Sequence, residues 1–315
     1  MSNNLESKIF VAGLGLRGTR KDDSYLCFLE FFPSQERWFL SKVVDLQSDD
    51  QLVKVLQEET PGHLMVDIPL NLPTCSTCFL KCPGEQVCPV QEIVTVRENI
   101  GELLRLDGDF YQSSPKRYEQ ERVELELYDH QRPVLARSQT QLALSKSFKK
   151  RLRKGIIPYW NRPLDFWVWA NYYDALLELF NFSYDSFGPN PPNALFRFHY
   201  LRRHFPKNLN LWESSIQILL LEMLRQNWTT KEEIRLLSEV EQGVLSRLNL
   251  IKCLEKTLNI FIYDHDLEML IHRPRAFESF MLAVAGRCAQ AKKLRHIDAW
   301  ANAKEVNFAV PQFGA

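Results

Sequence analysis

The sequence contains no apolar run near the ~20 residues needed to cross a bilayer. Its longest candidate, Ile216 to Leu224, is broken by Glu222 and followed at once by Arg225. Nor is there an excess of charge: 39 basic residues meet 39 acidic ones, so no global field draws the chain toward nucleic acid or anionic lipid. Internal repeats and low-complexity stretches are absent, as are a Gly-x-Ser-x-Gly elbow, a phosphate-binding glycine loop and a dinucleotide fingerprint. The fragment GLGLRG (Gly13–Gly18) is not a fingerprint, because no helical pattern follows it. The start, MSNNLESKIF, is polar and leads directly into a strand pattern, which is not how a secretory signal reads. The expected setting is cytoplasmic, with reduced thiols and no membrane.

What remains is an ordinary globular mixture: 315 residues, 45% apolar and 25% charged, enough for a substantial core. Lys8–Leu16, Ser24–Phe32 and Arg37–Asp45 read as strands, joined by hairpin connections at Gly18–Asp23 and Pro33–Glu36. Asp49–Glu59 carries Leu52, Val53, Val55 and Leu56 at helical spacing, and His63–Leu70 reads as a buried strand. A helical crossover would lay that fourth strand parallel to the first. After an expected helix at Gln91–Leu106 and a polar section to about Lys146, the second half reads as mostly helical. Helices are expected at Leu164–Phe180, Asn193–His204, Ser214–Arg225, Lys231–Leu258 and Arg275–Lys293. Leu209–Trp212 and Val306–Val310 read as short strands, and Asn259–Tyr263 as a strand or helix end. The expected class is α/β: a mixed sheet flanked by helices, in one domain of residues 1–315. That domain has a β-rich start (1–70), a cysteine loop (71–92), a helical insertion (93–205) and a C-terminal α/β part (206–315).

Cys75, Cys78, Cys82 and Cys88 form C-x2-C-x3-C-x5-C directly after the fourth strand. Four thiolates on so short a loop suit one tetrahedral zinc ion, and the same ligands serve an iron–sulfur cluster. Free thiols, or a redox pair using only the first two cysteines, are the plain alternatives. Four sulfur ligands would close the coordination shell, so such a metal would be structural, ordering a loop poor in large apolar residues. Cys27, Cys253 and Cys288 fall on strand or helix patterns as core residues.

Asp67, Glu213 and Glu278 stand at the edges of apolar elements. Meeting at one sheet end, they would bind Mg²⁺ or Mn²⁺ and support two-metal phosphodiester cleavage. The plain alternative makes Asp67 a turn residue before Pro69, Glu213 a cap on the following helix and Glu278 a partner of its helix N-terminus. The run KSFKKRLRK (Lys146–Lys154), followed by Tyr159, Trp160 and Arg162, offers phosphate contacts from Lys150, Arg151 and Arg162, with Arg197 on a later helix. Equally, such a run reads as a solvated helix face. Trp167, Trp169, Tyr172 and Tyr173 read as packing residues of one helix, and His265 with Asp264 and Asp266 as a surface turn.

In order along the chain come Asp67-x-Pro69-Leu70, the cysteine loop and PYWNR (Pro158–Arg162). Gly188–Asn190 with Asn193, Ala194, Leu195 and Arg197, then Trp212–Glu213 and FESFMLA (Phe277–Ala283), complete the series. This series resembles the largely uncharacterised predicted nucleases with an RNase H-like fold. The resemblance implies that fold and a metal-dependent nuclease or phosphodiesterase acting on nucleic acid, with Asp67, Glu213 and Glu278 as cation ligands. Two departures stand against it. The family's first strand carries Gly-Ile-Asp, whereas this chain has Gly13-Leu14-Gly15; and Glu278 stands where the family has aspartate. The other reading of the same fold is a non-catalytic scaffold that binds nucleic acid or protein and carries a structural metal.

Overall fold

The computed structural model describes residues 9–18, 23–127, 142–155, 158–180, 192–302 and 305–314. The first eight residues, most of the Gly18–Asp23 connection and Gly188–Asn190 lie outside the described residues. The chain divides into two compact units. One comprises Met1–Leu70, Asn190–Arg295 and Asn307–Ala315; the other comprises Asn71–Pro189 and His296–Val306.

The first unit is built on a seven-stranded mixed sheet. β1 (Ile9–Gly15), β2 (Ser24–Phe32) and β3 (Arg37–Leu46) form an antiparallel meander. α1 (Asp49–Glu59) then crosses to β4 (His63–Val66), which pairs parallel with β1. α1 has the bounds that the apolar spacing indicates. Ser48 caps it by accepting from Gln51 N, and Asp49 and Asp50 occupy the first turn, where the helix dipole favours acids. β5 (Asn210–Ser214), β6 (Ile260–Phe261) and β7 (Phe308–Ala309) complete the sheet in the order β6-β3-β2-β1-β4-β5-β7. β4, β5 and β7 run parallel to one another, and β6 is parallel to β3.

The central β1 is buried along its whole interior, as a strand covered on both faces should be. α11 (Pro274–Gln290) packs on β1, β2 and β4. The glycines of β1 permit that approach. A Cβ on Gly13 would lie 2.2 Å from Ser279 O and 2.3 Å from Ala283 N, so only glycine fits there. This unit also holds α6 (Pro192–Leu201), α7 (Ile216–Arg225), α8 (Lys231–Leu236) and α9 (Val244–Leu258).

The expected continuous helix over Lys231–Leu258 is in fact two. From the first turn of α9 the fully buried Arg247 donates to the carbonyls of Leu237, Glu239, Val240 and Ile271, at 2.6 to 2.7 Å. One guanidinium satisfies the turn's carbonyls and so permits the break. The Asp264–Asp266 segment is not a surface turn but the first turn of α10 (Asp264–His272), with Asp266 buried.

In the second unit, α2 (Gln91–Ser113) runs past the expected end at Leu106, and α3 (Pro115–Leu127) fills part of the expected polar section. α4 (Lys146–Leu152) and α5 (Pro163–Phe180) complete the unit's helices among the described residues. Ile93, Val96, Ile100 and Leu103 recur along one face of α2 and pack with Phe148, Leu152, Phe166, Trp169 and Tyr173. Trp167, Trp169, Tyr172 and Tyr173 are all buried packing residues. Among the described residues no helix is long and apolar enough to cross a membrane.

Candidate functional site

Sheet topology brings two of the three acids singled out in the sequence to neighbouring strand ends. Leu14 of β1 pairs with Val66 of β4, and one residue further along each strand stand Gly15 and Asp67. Val66 in turn pairs with Glu213 of β5. β4 ends at Val66, short of the expected Leu70, because the following loop is held away from the ladder. His199 donates to Pro69 O at 3.0 Å, Arg202 to Leu70 O at 2.8 Å, and Leu70 N to the Glu213 carboxylate at 2.9 Å. Glu213 thus lies within β5 rather than capping a helix, and α7 begins later, at Ile216. The Ile216 N–H donates to Asp67, which places that carboxyl at the N-terminus of α7.

The acids influence one another's protonation. Burial, then repulsion from Glu278 and, more weakly, from Glu213, raises the Asp67 pKa from 3.8 to about 7; Arg17 and the Ile216 N–H oppose the rise. Burial also lifts Glu278 above the usual carboxylate range, against the pull of Arg17. The cation in this cluster is therefore the protein's own. Arg17 bonds Glu278 at 2.5 Å, and Arg275 reaches the other Glu278 oxygen at 2.6 Å.

The Gly15 position has been closed. Its N–H donates to Ser279 Oγ at 3.1 Å, and a Cβ built on Gly15 would stand 2.6 Å from that same oxygen. An aspartate side chain there would have to displace Ser279, which also donates to Tyr25 O at 2.9 Å. Asp23, in the following turn, is exposed. Among the described residues no group of three or more His, Cys, Asp or Glu stands ready to hold a metal ion. Sequence reading missed Arg17 and Ser279. A lone arginine after a strand reads as a solvated turn, and nothing in the sequence says that a helix about 260 residues later will bring Glu278 to it.

The arginines expected to hold phosphate have structural partners. Arg197 donates to Asp49 at 2.7 Å and to Arg17 O at 2.7 Å. In the second unit, Arg162 bonds Asp165 at 2.7 Å. Arg151 is buried over the Trp169 ring, 4.5 Å from its centroid, and donates to Gly155 O at 2.6 Å. Of the four expected phosphate contacts, Lys150 is the exposed one.

The cysteine loop also belongs to the second unit. Short 3-10 turns at Thr74–Thr77 and Glu85–Val87 fold it, and Gly84 at φ 97° supplies the left-handed residue between them. Arg97 donates to Glu85 O at 2.9 Å and to Gln86 O at 2.8 Å. Cys88 is buried in the α2 core with Cys75 against it, while Cys82 is exposed; no disulfide joins any of them. Burial, then Cys88, Cys78 and Cys82 in turn, raise the Cys75 pKa, so all four thiols lie within electrostatic range. Their chemistry is that of a zinc donor set; their positions are not those of a ligand shell. Cys27 and Cys288 are core residues as expected, whereas Cys253 is only half-buried. Compared with family models, curated proteins and solved structures, the chain finds no match in any of the three.

Proposed function

We propose that this chain is a divergent RNase H-like protein that binds its partner without metal-dependent phosphodiester cleavage. The strand order β3-β2-β1-β4-β5, with an antiparallel meander followed by parallel strands, supports the fold assignment. One observation carries the loss of catalysis: Arg17 sits beside Asp67 and Glu278, and Ser279 closes the Gly15 position, where the family has its aspartate. A divalent cation needs carboxylates whose charge is unspent. Here a guanidinium already neutralises Glu278, and Asp67 holds a proton for about half the time near neutral pH.

The partner proposed is nucleic acid, with a protein partner as the other possibility on the same scaffold. The cysteine loop is proposed as a structural zinc site; in support, Cys75 senses the other three thiols. A second reading, an active nuclease using Mg²⁺ or Mn²⁺, is favoured by the gathering of Asp67, Glu213 and Glu278 at one sheet end.

Labelled single-stranded, duplex and hybrid nucleic acids, incubated with the protein in Mn²⁺ or in EDTA, separate the two readings. The expected result is no Mn²⁺-dependent cleavage. Cleavage that Asp67→Asn abolishes would overturn the proposal in favour of the nuclease.

A further inference from the structure

The second unit contains a cleft of about 470 Å³ between α2, α3 and α4. Its walls carry four cations, Arg122, Lys146, Lys149 and Arg153, against two carboxylates, Asp107 and Glu119. Lys146, Lys149 and Arg153 are three and four residues apart, so α4 and its C-terminal residue turn one basic face into the cleft. Lys150 and Arg151, in the same run, are not among the lining residues.

The floor is braced. Lys149 Nζ donates to Tyr118 OH at 2.7 Å, Tyr118 OH donates to Asp107 at 2.8 Å, and Asp107 also accepts from Leu144 N at 2.9 Å. Burial works against the Lys149 charge, yet its bonds to Asp107 and Tyr118 prevail and its pKa is raised. Tyr111 stands edge-on to Tyr118 at 5.2 Å and leaves half its surface to solvent. An aromatic wall beside a cationic rim is the pairing that holds a base and a phosphate together. The volume exceeds what an inorganic anion fills and falls in the range of roughly 300–1,000 Å³ used by small organic ligands.

We propose that this cleft binds a nucleoside phosphate, stacked on Tyr111 with its phosphate toward Arg153 and Lys146. The proposal goes beyond the reading of the sheet end and does not depend on it, since the cleft lies wholly in the second unit. Two sources share this chemistry: a free nucleotide, or one residue of a single strand.

Calorimetric titration of the full chain with AMP, with inorganic phosphate and with a short oligo(dT) tests it. AMP is expected to bind, phosphate alone to bind at least about tenfold more weakly for want of a ring, and added salt to weaken every arm. Tighter binding of the oligonucleotide than of AMP identifies a strand as the source; the reverse order identifies the free nucleotide. Tyr111→Ala and Arg153→Glu, both at exposed positions, should each weaken AMP by about tenfold with an unchanged melting temperature. Lys54→Glu, an exposed lysine outside the cleft's lining, should leave binding as it is. The proposal fails if neither AMP nor the oligonucleotide binds. It fails equally if binding survives Tyr111→Ala and Arg153→Glu undiminished.

Discussion

Replacing Arg17 by methionine removes the guanidinium from the carboxylate cluster and keeps most of the apolar stem. The Arg17–Glu278 pair is 2.5 Å long with side chains 23% and 19% exposed, so it lies between two known regimes. Removing one partner of a fully buried pair costs about 3–5 kcal/mol, and losing an exposed pair about 0–1 kcal/mol. The expected loss near neutral to alkaline pH is therefore about 2 kcal/mol, with Asp67 repelling a Glu278 that then relies on Arg275. The backbone anchors of this residue, Arg17 N to Ser24 Oγ and Arg197 to Arg17 O, survive the substitution. The loss should shrink on acidification, because Asp67, with its pKa near 7, and Glu278 can then take up protons in place of the missing charge. Urea unfolding at about pH 5 and about pH 8 measures both effects. The variant should also gain a Mn²⁺-dependent rise in melting temperature that the wild type lacks, since Glu278 would then keep Arg275 but lose the guanidinium it shares with Asp67. An equal loss at both pH values would refute the counter-charge role, as would a wild type that Mn²⁺ stabilises just as well.

Other outcomes follow from the same geometry. Because burial raises the Asp67 pKa from 3.8 to about 7, the native state holds the extra proton between those values, and wild-type stability falls as pH rises through that window. Asp67→Asn should remove that slope, gaining about 1–2 kcal/mol over wild type between about pH 4.5 and pH 8; the full shift would set a ceiling near 4 kcal/mol, lowered here because Asp67 keeps some contact with solvent. A pH-independent difference between variant and wild type sinks the assignment. Gly13→Ala forces a Cβ to 2.2 Å from the α11 backbone and should cost more than about 3 kcal/mol. Gly101→Ala, in a helix with nothing within 4 Å, should stabilise by up to about 1 kcal/mol, and similar melting temperatures for the two would contradict the packing described. Protein purified without chelators should carry one zinc per chain by elemental analysis, and Cys82→Ser should lower both metal content and melting temperature. A broad absorbance band near ~400 nm would identify an iron–sulfur centre instead, and metal-free, fully folded protein would reject the zinc site.

Much of the fold was legible because its signals are local. β2 and α1 have the bounds that their apolar patterns indicate, and the parallel β1–β4 pairing follows from the helical crossover between them. The errors are of another kind. The Lys231–Leu258 pattern is helical throughout, and only the burial of Arg247 against four distant or turn carbonyls explains why the helix stops and restarts. His63–Leu70 reads as one apolar strand, but α6 and Glu213 hold the last part as a loop. In both places a long-range polar contact overrides a short-range apolar pattern.

The candidate site divides along the same line. The sequence by itself determined which acids stand at the ends of apolar elements, that the first strand ends in glycine rather than aspartate, and that four cysteines share one short loop, because each is a matter of identity and near spacing. Only the tertiary structure decided that Arg17 meets Glu278, that Ser279 occupies the space beside Gly15, and that Lys146, Lys149 and Arg153, rather than Lys150 and Arg151, face the cleft. Charges and voids acquire partners through chain segments far apart in sequence, and folding alone brings them within the few ångströms over which those interactions act.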